Sequence, residues 1–145
     1  MTCGIFIDLS KAFDTVNHQI LIDKLDHYGI RGNALEIFRS YLSNRQQYVT
    51  IDNCKSQTRP ISHGVPQGSV LGPLFFLLFI NDLPNCCPEG KVRLFADDTT
   101  IFFHSNNINE IITTGRNIMI QLTSWFHANK LTLNSEIDLE IDLRP

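Results

Sequence analysis

Residues 91–105, KVRLFADDTTIFFHS, place two adjacent aspartates, Asp97 and Asp98, inside an otherwise apolar stretch. The flanking residues are rich in β-branched and aromatic types, which predicts two short strands. A carboxylate buried without a partner is costly, whereas aspartate is a favoured turn residue. A β-hairpin with the pair at its tip is therefore the simplest interpretation. A bound metal ion that compensates the two charges is a second interpretation, and both hold together if the turn presents the carboxylates.

The composition fits one ordinary globular domain. The chain has 145 residues, of which 43% are hydrophobic, so a single core is expected. No apolar run approaches the roughly 18 residues of a membrane span, and the N-terminal apolar run meets a charge at Asp8, unlike a secretory signal. The four cysteines show no C-x-x-C spacing, so we expect free thiols in an intracellular protein.

Charge is distributed unevenly along the chain. Residues 1–135 contain 11 basic and 11 acidic residues, so the net charge of −3 resides in residues 136–145, EIDLEIDLRP. The basic footprint of a nucleic-acid-binding protein is absent, and binding to a polymer would have to be local or supplied by other parts. The repeated EIDL differs from everything before it. We therefore expect a domain over 1–136 and an atypical acidic tail over 137–145.

The order of the predicted elements indicates an α+β fold. The elements are a strand at 3–9, helices at 18–28 and 33–42, a hairpin within 46–60, a helix at 74–83, the hairpin of 91–105, a helix at 107–126 and a strand at 130–134. The helix at 74–83 is apolar on all sides and is expected to be packed on every side. The helix at 107–126 is amphipathic, with Ile112 among its predicted core positions. This order predicts a small antiparallel sheet backed by helices.

Three carboxylates are the sharpest candidates for chemistry. Asp8 ends the first predicted strand, and Asp97 and Asp98 lie between two others. If these strands are neighbours, the three side chains converge at one sheet edge and offer the oxygen ligands that Mg²⁺ prefers. Two such ions about 3.5–4 Å apart activate an attacking hydroxyl and stabilise a leaving phosphate oxygen. About 90 residues separate Asp8 from Asp97, so spacing alone leaves their adjacency open.

Four segments occur in the order found in reverse transcriptases of non-LTR retrotransposons, especially jockey-like elements: FIDLSKAFDTVNH, HGVPQGSVLGPLFFLLFINDLP, LFADDTTIFF and WFHANKLTLN. The chain resembles this family over about residues 3–136. The resemblance implies a partial right-hand polymerase palm that performs RNA-directed DNA synthesis by two-metal nucleotidyl transfer. The implied partners are an RNA template, a DNA primer, deoxynucleoside triphosphates and two Mg²⁺ ions, with Mn²⁺ as a substitute.

The same resemblance assigns the metal-binding residues. Asp8 matches the first metal-binding aspartate of the palm strand. Asp97 and Asp98 match the aspartate pair of the palm hairpin, in which the first ligates metal directly and the second supports it. The three aspartates are thus the implied catalytic and metal-binding residues.

Five positions match the family's nucleotide-binding residues. Phe13 matches the aromatic residue beneath the sugar of the incoming nucleotide, where a ring would collide with a 2′-hydroxyl; the alternative is a core phenylalanine. Gln67 and Gly68 match the loop that faces nucleotide and template, where glycine permits close backbone approach and an amide donates without adding charge. Phe95 and Ala96 match positions beside the primer end and the nucleotide.

Other polar residues are interpreted more simply. Lys11 and Arg59 are surface cations that could meet phosphates, although single surface cations usually have no specific role. Asp14 and His18 have a spacing that suits helix capping as well as pairing. His63 lies far from other histidines and shows no metal-ligand spacing.

The sequence departs from the family in two places. Nothing in it matches the fingers and thumb, and Ile137 stands where the family's fourth motif has a lysine that donates a proton to pyrophosphate. We therefore expect this chain alone to be inactive or nearly so. Two alternatives stay open: a catalytically inactive relic or interaction fragment, and a different metal-dependent phosphotransferase or nuclease. The second alternative leaves Phe13 and the PQG loop without a role.

Overall fold

Within the residues that the structure describes, the chain forms eight strands, five α-helices and one 3₁₀ helix. The computed structural model describes residues 1–66 and 68–142, and the side chains of residues 1–66 and 68–133. The elements in chain order are β1 (Thr2–Leu9), α1 (Ala12–Thr15), α2 (His18–His27), α3 (Asn33–Leu42), β2 (Gln46–Gln47), β3 (Thr50–Ile51), β4 (Cys54–Lys55), β5 (Arg59–Pro60), α4 (Leu71–Ile80), a 3₁₀ helix (Leu83–Cys86), β6 (Lys91–Phe95), β7 (Asp98–His104), α5 (Ile108–Ala128) and β8 (Leu133–Asp142).

The main sheet contains four antiparallel strands in the order β6–β7–β1–β8. Its inner face is apolar because alternate residues of β1, among them Ile5 and Ile7, are buried. Helix α5 packs closely on this face at Gly115, where an added Cβ would lie 3.2 Å from Phe103 Cζ. The predicted architecture, a small antiparallel sheet backed by helices, is confirmed.

Helices α2 and α3 coincide with the predicted segments. Asn17 caps α2, since its side-chain oxygen accepts a hydrogen bond from the backbone N–H of Ile20 at 3.1 Å. Gly29, with φ of 91°, follows the end of α2 in the left-handed conformation that glycine adopts without strain. The hairpin predicted within 46–60 is present as two nested pairs, β2 with β5 and β3 with β4. Asp52 and Asn53, both at positive φ, form its two-residue turn.

Helix α4 differs from its prediction in position and in packing. It begins and ends three residues earlier, and the Ser69 hydroxyl accepts from the Gly72 N–H at 3.0 Å in its first turn. The expectation of packing on every side is wrong: Leu74 and Leu77 are 45% and 49% exposed. Apolar residues all round cannot reveal which side faces water, because that depends on where the sheet and the other helices end.

Helix α5 confirms the predicted amphipathic pattern with one exception. Ile111, Ile118, Leu122 and Phe126 are buried along one side. Ile112, a predicted core position, is 52% exposed, because the buried stripe follows the 3–4 spacing from Ile111 and leaves its neighbour outside. None of the helices in the described part of the chain is both long and apolar enough to cross a membrane.

Strand β8 is longer than the strand predicted at 130–134. It continues through Asp142, so residues 137–142 of the acidic segment pair with β1 from Ile7↔Ile137 to Thr2↔Asp142. Acidic and aliphatic residues alternate in this segment, which matches the two-residue side-chain period of a β-strand. The backbone of this segment is therefore part of the main sheet.

A half-buried lysine joins three helices behind the sheet. The Lys24 ammonium donates to Asp82 Oδ1 at 2.5 Å and to the Phe79 carbonyl at 2.7 Å, and it lies 4.6 Å from the centre of the Trp125 ring. Burial lowers the pKa of Lys24, while Asp82 opposes that shift by hydrogen bonding and by charge. The group thus links α2 with α4 and α5 and stabilises their packing.

Candidate active site

The hairpin of β6 and β7 presents the aspartate pair. Phe95 pairs with Asp98, so Ala96 and Asp97 form a two-residue turn. Ala96 has φ of 52°, which fits the positive φ that tight hairpin turns require but strains a residue with a Cβ. Asp97 is half-buried and Asp98 exposed, so neither carboxylate is placed in the apolar interior. The hairpin prediction is confirmed, and it explains how the chain tolerates two charges between apolar strands.

Strand pairing brings Asp8 to the same sheet edge. β1 pairs with β7 as far as Ile7↔Thr99, and the next residues along the two strands are Asp8 and Asp98. The pairing of β1 with β8 is irregular between Ile7 and Leu9, at Asp8 itself. Irregularities of this kind redirect a side chain and are frequent beside active sites. The adjacency that spacing alone leaves open is therefore present.

The three aspartates suit a hard cation in type and in location. All three supply carboxylate oxygens at the ends of neighbouring strands, and none is fully buried. Within residues 1–66 and 68–133, however, no group of three or more His, Cys, Asp or Glu side chains is arranged so that it could hold a metal ion. The strands thus bring the donors to one edge without gathering them into a compact ligand set.

Phe13 lies in α1, which follows β1, and serves partly as a core residue. Its ring is half-buried and packs on Phe76, with the ring centres 4.7 Å apart. Its carbonyl accepts the backbone N–H of Val65 at 2.8 Å, which joins it to the loop that leads to Gly68. One side of the ring therefore packs inward, as in a core residue, while the residue retains exposed surface.

The other predicted nucleotide-binding residues occupy two places. Gly68 has φ of 77°, and a Cβ added to it would have no atom within 4 Å, so its backbone conformation, and not crowding, favours glycine. Gln67 lies outside the described residues. Phe95 and Ala96 lie on the hairpin next to Asp97, and the Phe95 side chain is 80% exposed. An aromatic ring with this exposure is available for contact with another molecule.

A polar cavity of about 580 Å³ adjoins the segment that follows β1. Lys11, Asp14, Arg45 and His63 contribute to its lining, so two cations and one carboxylate share it. Arg59, the other surface cation that could meet phosphates, pairs with Gln47 in the small sheet and is not among the lining residues of this cavity. Arg45 is present because its carbonyl accepts the Ile61 N–H at 2.9 Å, a contact without a local sequence signal.

The chain matches a protein family along most of its length. The family described as reverse transcriptase (RNA-dependent DNA polymerase) matches residues 1–136. A probable RNA-directed DNA polymerase from transposon BS of Drosophila melanogaster is 35% identical and aligns with 92% of this chain. The RNA-directed DNA polymerase from mobile element jockey of the same species is 31% identical, also over 92% of this chain. The chain spans about 15% of the length of each of these two relatives.

Solved structures show the same fold at low sequence identity. Apo telomerase from Candida tropicalis has a TM-score of 0.72 and 12% identity over 99% of this chain and 31% of its own. Telomerase from Candida albicans, in complex with a fragment of telomeric RNA, has a TM-score of 0.73 and 13% identity over 99% of this chain and 27% of its own. The α+β fold is accordingly that of a partial polymerase palm. The chain belongs to the reverse transcriptase (RNA-dependent DNA polymerase) family and is similar to the polymerases of jockey-like retrotransposons.

Proposed function

We propose that this chain is part of the catalytic palm of a retrotransposon polymerase that performs RNA-directed DNA synthesis. The pairing of β1 with β7, which brings Asp8 to the hairpin of Asp97 and Asp98, carries the proposal. Membership of the family supplies the reaction class, since relatives are named RNA-directed DNA polymerases. The substrates are an RNA template, a DNA primer and deoxynucleoside triphosphates, and fingers and thumb are supplied by a longer polypeptide.

The three aspartates hold divalent cations, Mg²⁺ or Mn²⁺, in this proposal. Bound Mg²⁺ lowers the barrier to nucleotidyl transfer by stabilising negative charge on the attacking and leaving oxygens. Asp97 is a direct ligand and Asp98 supports it, while Asp8 supplies carboxylate oxygens from the neighbouring strand. Because Asp98 is exposed beside the turn, its side chain can change rotamer when the cation arrives.

Five residues position the nucleotide and primer beside the aspartates. Phe13 lies beneath the sugar and excludes a 2′-hydroxyl by its bulk, and its packing on Phe76 keeps the ring in place. Gly68 and Gln67 face the nucleotide, and the exposed Phe95 contacts the primer end. Ala96 adjoins the same contact from the turn.

A catalytically inactive relic is the second candidate function, favoured by Ile137. The side chain of isoleucine has no proton to give to departing pyrophosphate, and residues 136–142 carry four acidic groups that repel a nucleic acid backbone. This candidate retains the family and the fold but loses the chemistry. A different phosphotransferase or nuclease is less well supported, because it leaves Phe13 and the Gly68 loop without a role.

Binding of Mn²⁺ tests the proposal directly. We expect Asp97→Asn to weaken Mn²⁺ binding at least about tenfold, because one direct carboxylate ligand is lost. Asp52→Asn is the matched control, since Asp52, like Asp97, lies in a two-residue hairpin turn, and it is far along the chain from the candidate site. The measurement is the Mn²⁺ electron paramagnetic resonance signal during titration. Equal Mn²⁺ affinity in the wild type and the Asp97→Asn variant would refute the metal site.

Primer extension on an RNA template can exclude the relic. This chain is compared with its Asp97→Asn, Asp98→Asn variant in Mg²⁺ and in Mn²⁺. We expect no extension or only traces by this chain alone, since it spans about 15% of the length of its relatives and carries Ile137 in place of the lysine. Extension that disappears in the variant would show that the palm suffices and would exclude the relic.

A further inference from the structure

Two segments far apart in the chain, residues 13–18 and 62–65, are joined at the base of the Gly68 loop. The Gly64 N–H donates to the Val16 carbonyl at 2.7 Å, and the Val65 N–H donates to the Phe13 carbonyl at 2.8 Å. Gly64 has φ of 83°, and an added Cβ would lie 2.8 Å from the Asp14 carbonyl oxygen. The loop backbone is therefore in close contact with the segment that carries Phe13.

Asn17 fixes the proton position on one histidine of this junction. Its Oδ1 is occupied by the Ile20 N–H at the start of α2, so its Nδ2 is the atom that faces His63 Nε2, at 3.1 Å. An amide nitrogen can only donate, so His63 Nε2 has to accept and the ring proton resides on Nδ1. His63 Nδ1 then donates to Ser62 Oγ, 2.8 Å away.

His18 requires the opposite arrangement. Its Nε2 lies 2.7 Å from the Gly64 carbonyl oxygen, which can only accept, so the ring proton of His18 resides on Nε2. The backbone of Gly64 is thus held at two points, its N–H by the Val16 carbonyl and its C=O by His18. Asn17 and His18 are adjacent, and they hold two successive loop residues, His63 and Gly64. One of these contacts uses the imidazole of His63 and the other that of His18, and the two rings are opposite tautomers.

We infer that His18 and His63 are positioning residues that hold the Gly68 loop against the segment of Phe13, with the proton of His18 on Nε2 and that of His63 on Nδ1. The contacts fix the loop four residues before Gly68, and Val65, buried in the core, transmits the constraint. The consequence for the reaction, alignment of the loop with the sugar over Phe13, rests on the proposed function. The arrangement of the histidines is independent of the proposed function.

Tautomers are read from long-range ¹H–¹⁵N correlation spectra of this chain at a pH above about 8, where an ordinary imidazole is neutral. The expected result is an Nε2–H pattern for His18 and an Nδ1–H pattern for His63. In Asn17→Asp the helix cap is retained, because aspartate caps as well as asparagine, but only acceptor oxygens face His63. His63 should then change to Nε2–H while His18 keeps its pattern. A reversed tautomer in the wild type, or no change at His63 in Asn17→Asp, would overturn the inference.

Backbone exchange tests whether the histidines position the loop. His18→Leu removes the donor to Gly64, and we expect amide exchange of Gly64 and Val65 to accelerate by about fivefold or more, with a shifted Gly68 amide resonance. His18→Gln keeps a side-chain donor and should retain slow exchange and the wild-type Gly68 resonance. Unchanged exchange in His18→Leu would refute the positioning role. If the tautomers are as expected but the wild type and Asp97→Asn bind Mn²⁺ with equal affinity, the polymerase proposal is refuted and the inference about the histidines stands.

Discussion

At the scale of a residue, Cys87 makes the stability of the fold depend on alkaline pH. Its side chain is fully buried, and burial, assisted by the neighbouring Cys86 thiol, raises the pKa of Cys87 from 9.0 to about 12. The unfolded chain ionises this thiol above pH 9 while the folded chain keeps it protonated. The contribution to stability is therefore complete below pH 9 and is lost as the pH rises toward 12. We expect the thermal unfolding midpoint to fall across this interval, and Cys87→Ala to reduce the fall.

The control for this effect is the exposed thiol of Cys54. Cys54→Ala should keep the wild-type pH profile, whereas a change as large as that of Cys87→Ala would contradict the role of burial.

Lys24 acts in the opposite direction, because its lowered pKa makes stability rise with pH up to about 10.5, where the unfolded lysine also loses its proton. Lys24→Met removes this opposing contribution and should steepen the fall caused by Cys87.

Single residues differ in how far the sequence predicts their surroundings. The place of Asp97 at a hairpin tip is predictable, because a turn is a local structure with a local signature. The burial of Lys24 is not, because its partners Asp82 and Trp125 lie far along the chain and belong to other elements. Arg45 is missed for the same reason, since its place in the cavity depends on the pairing of β2 with β5.

At the scale of an element, α4 shows the limit of predicting a helix from its apolar content. Apolar residues around the whole circumference predict a helix correctly but carry no amphipathic signal for its orientation. The boundaries are also misplaced by three residues, because Gly72 and Pro73 resemble loop residues although proline is tolerated in a first helical turn. Strands and amphipathic helices are predicted better, since their period identifies both the element and its buried side.

Adjacent residues of α4 should respond very differently to the same truncation. Phe75 is fully buried and its ring packs on Phe38 and Tyr41, at 5.2 and 5.9 Å between ring centres, so Phe75→Ala should cost about 3–5 kcal/mol. Leu74→Ala, its matched control on the exposed side, should cost less than about 1 kcal/mol. Urea unfolding followed by circular dichroism gives both values. Similar costs for the two variants would show that Leu74 is packed in solution.

At the scale of the whole molecule, the convergence of the candidate site is a property of topology. Asp8 reaches the sheet edge of Asp97 and Asp98 only because β1 pairs with β7, and no local pattern specifies that pairing. The residue patterns alone leave open whether the three aspartates lie together, and the resemblance to a family is what predicts it. The same topology gives the acidic segment a structural role, since β8 makes β1 an inner strand.

Deletion of residues 136–145 should therefore destabilise the whole fold and expose the strand that carries Asp8. It removes the pairs from Ile7↔Ile137 to Thr2↔Asp142, so β1 becomes an edge with unpaired N–H and C=O groups. Since each backbone hydrogen bond contributes about 1 kcal/mol, a loss of at least about 3 kcal/mol, or aggregation, is expected in urea unfolding. The control changes the four acidic residues of this segment to their amides (Glu136→Gln, Asp138→Asn, Glu140→Gln, Asp142→Asn), which preserves the backbone pairing and should shift stability by less than about 1 kcal/mol. If the deletion behaves like the amide control, β8 does not hold β1 in solution. If both variants lose stability equally, the charges and not the pairing stabilise this edge of the sheet.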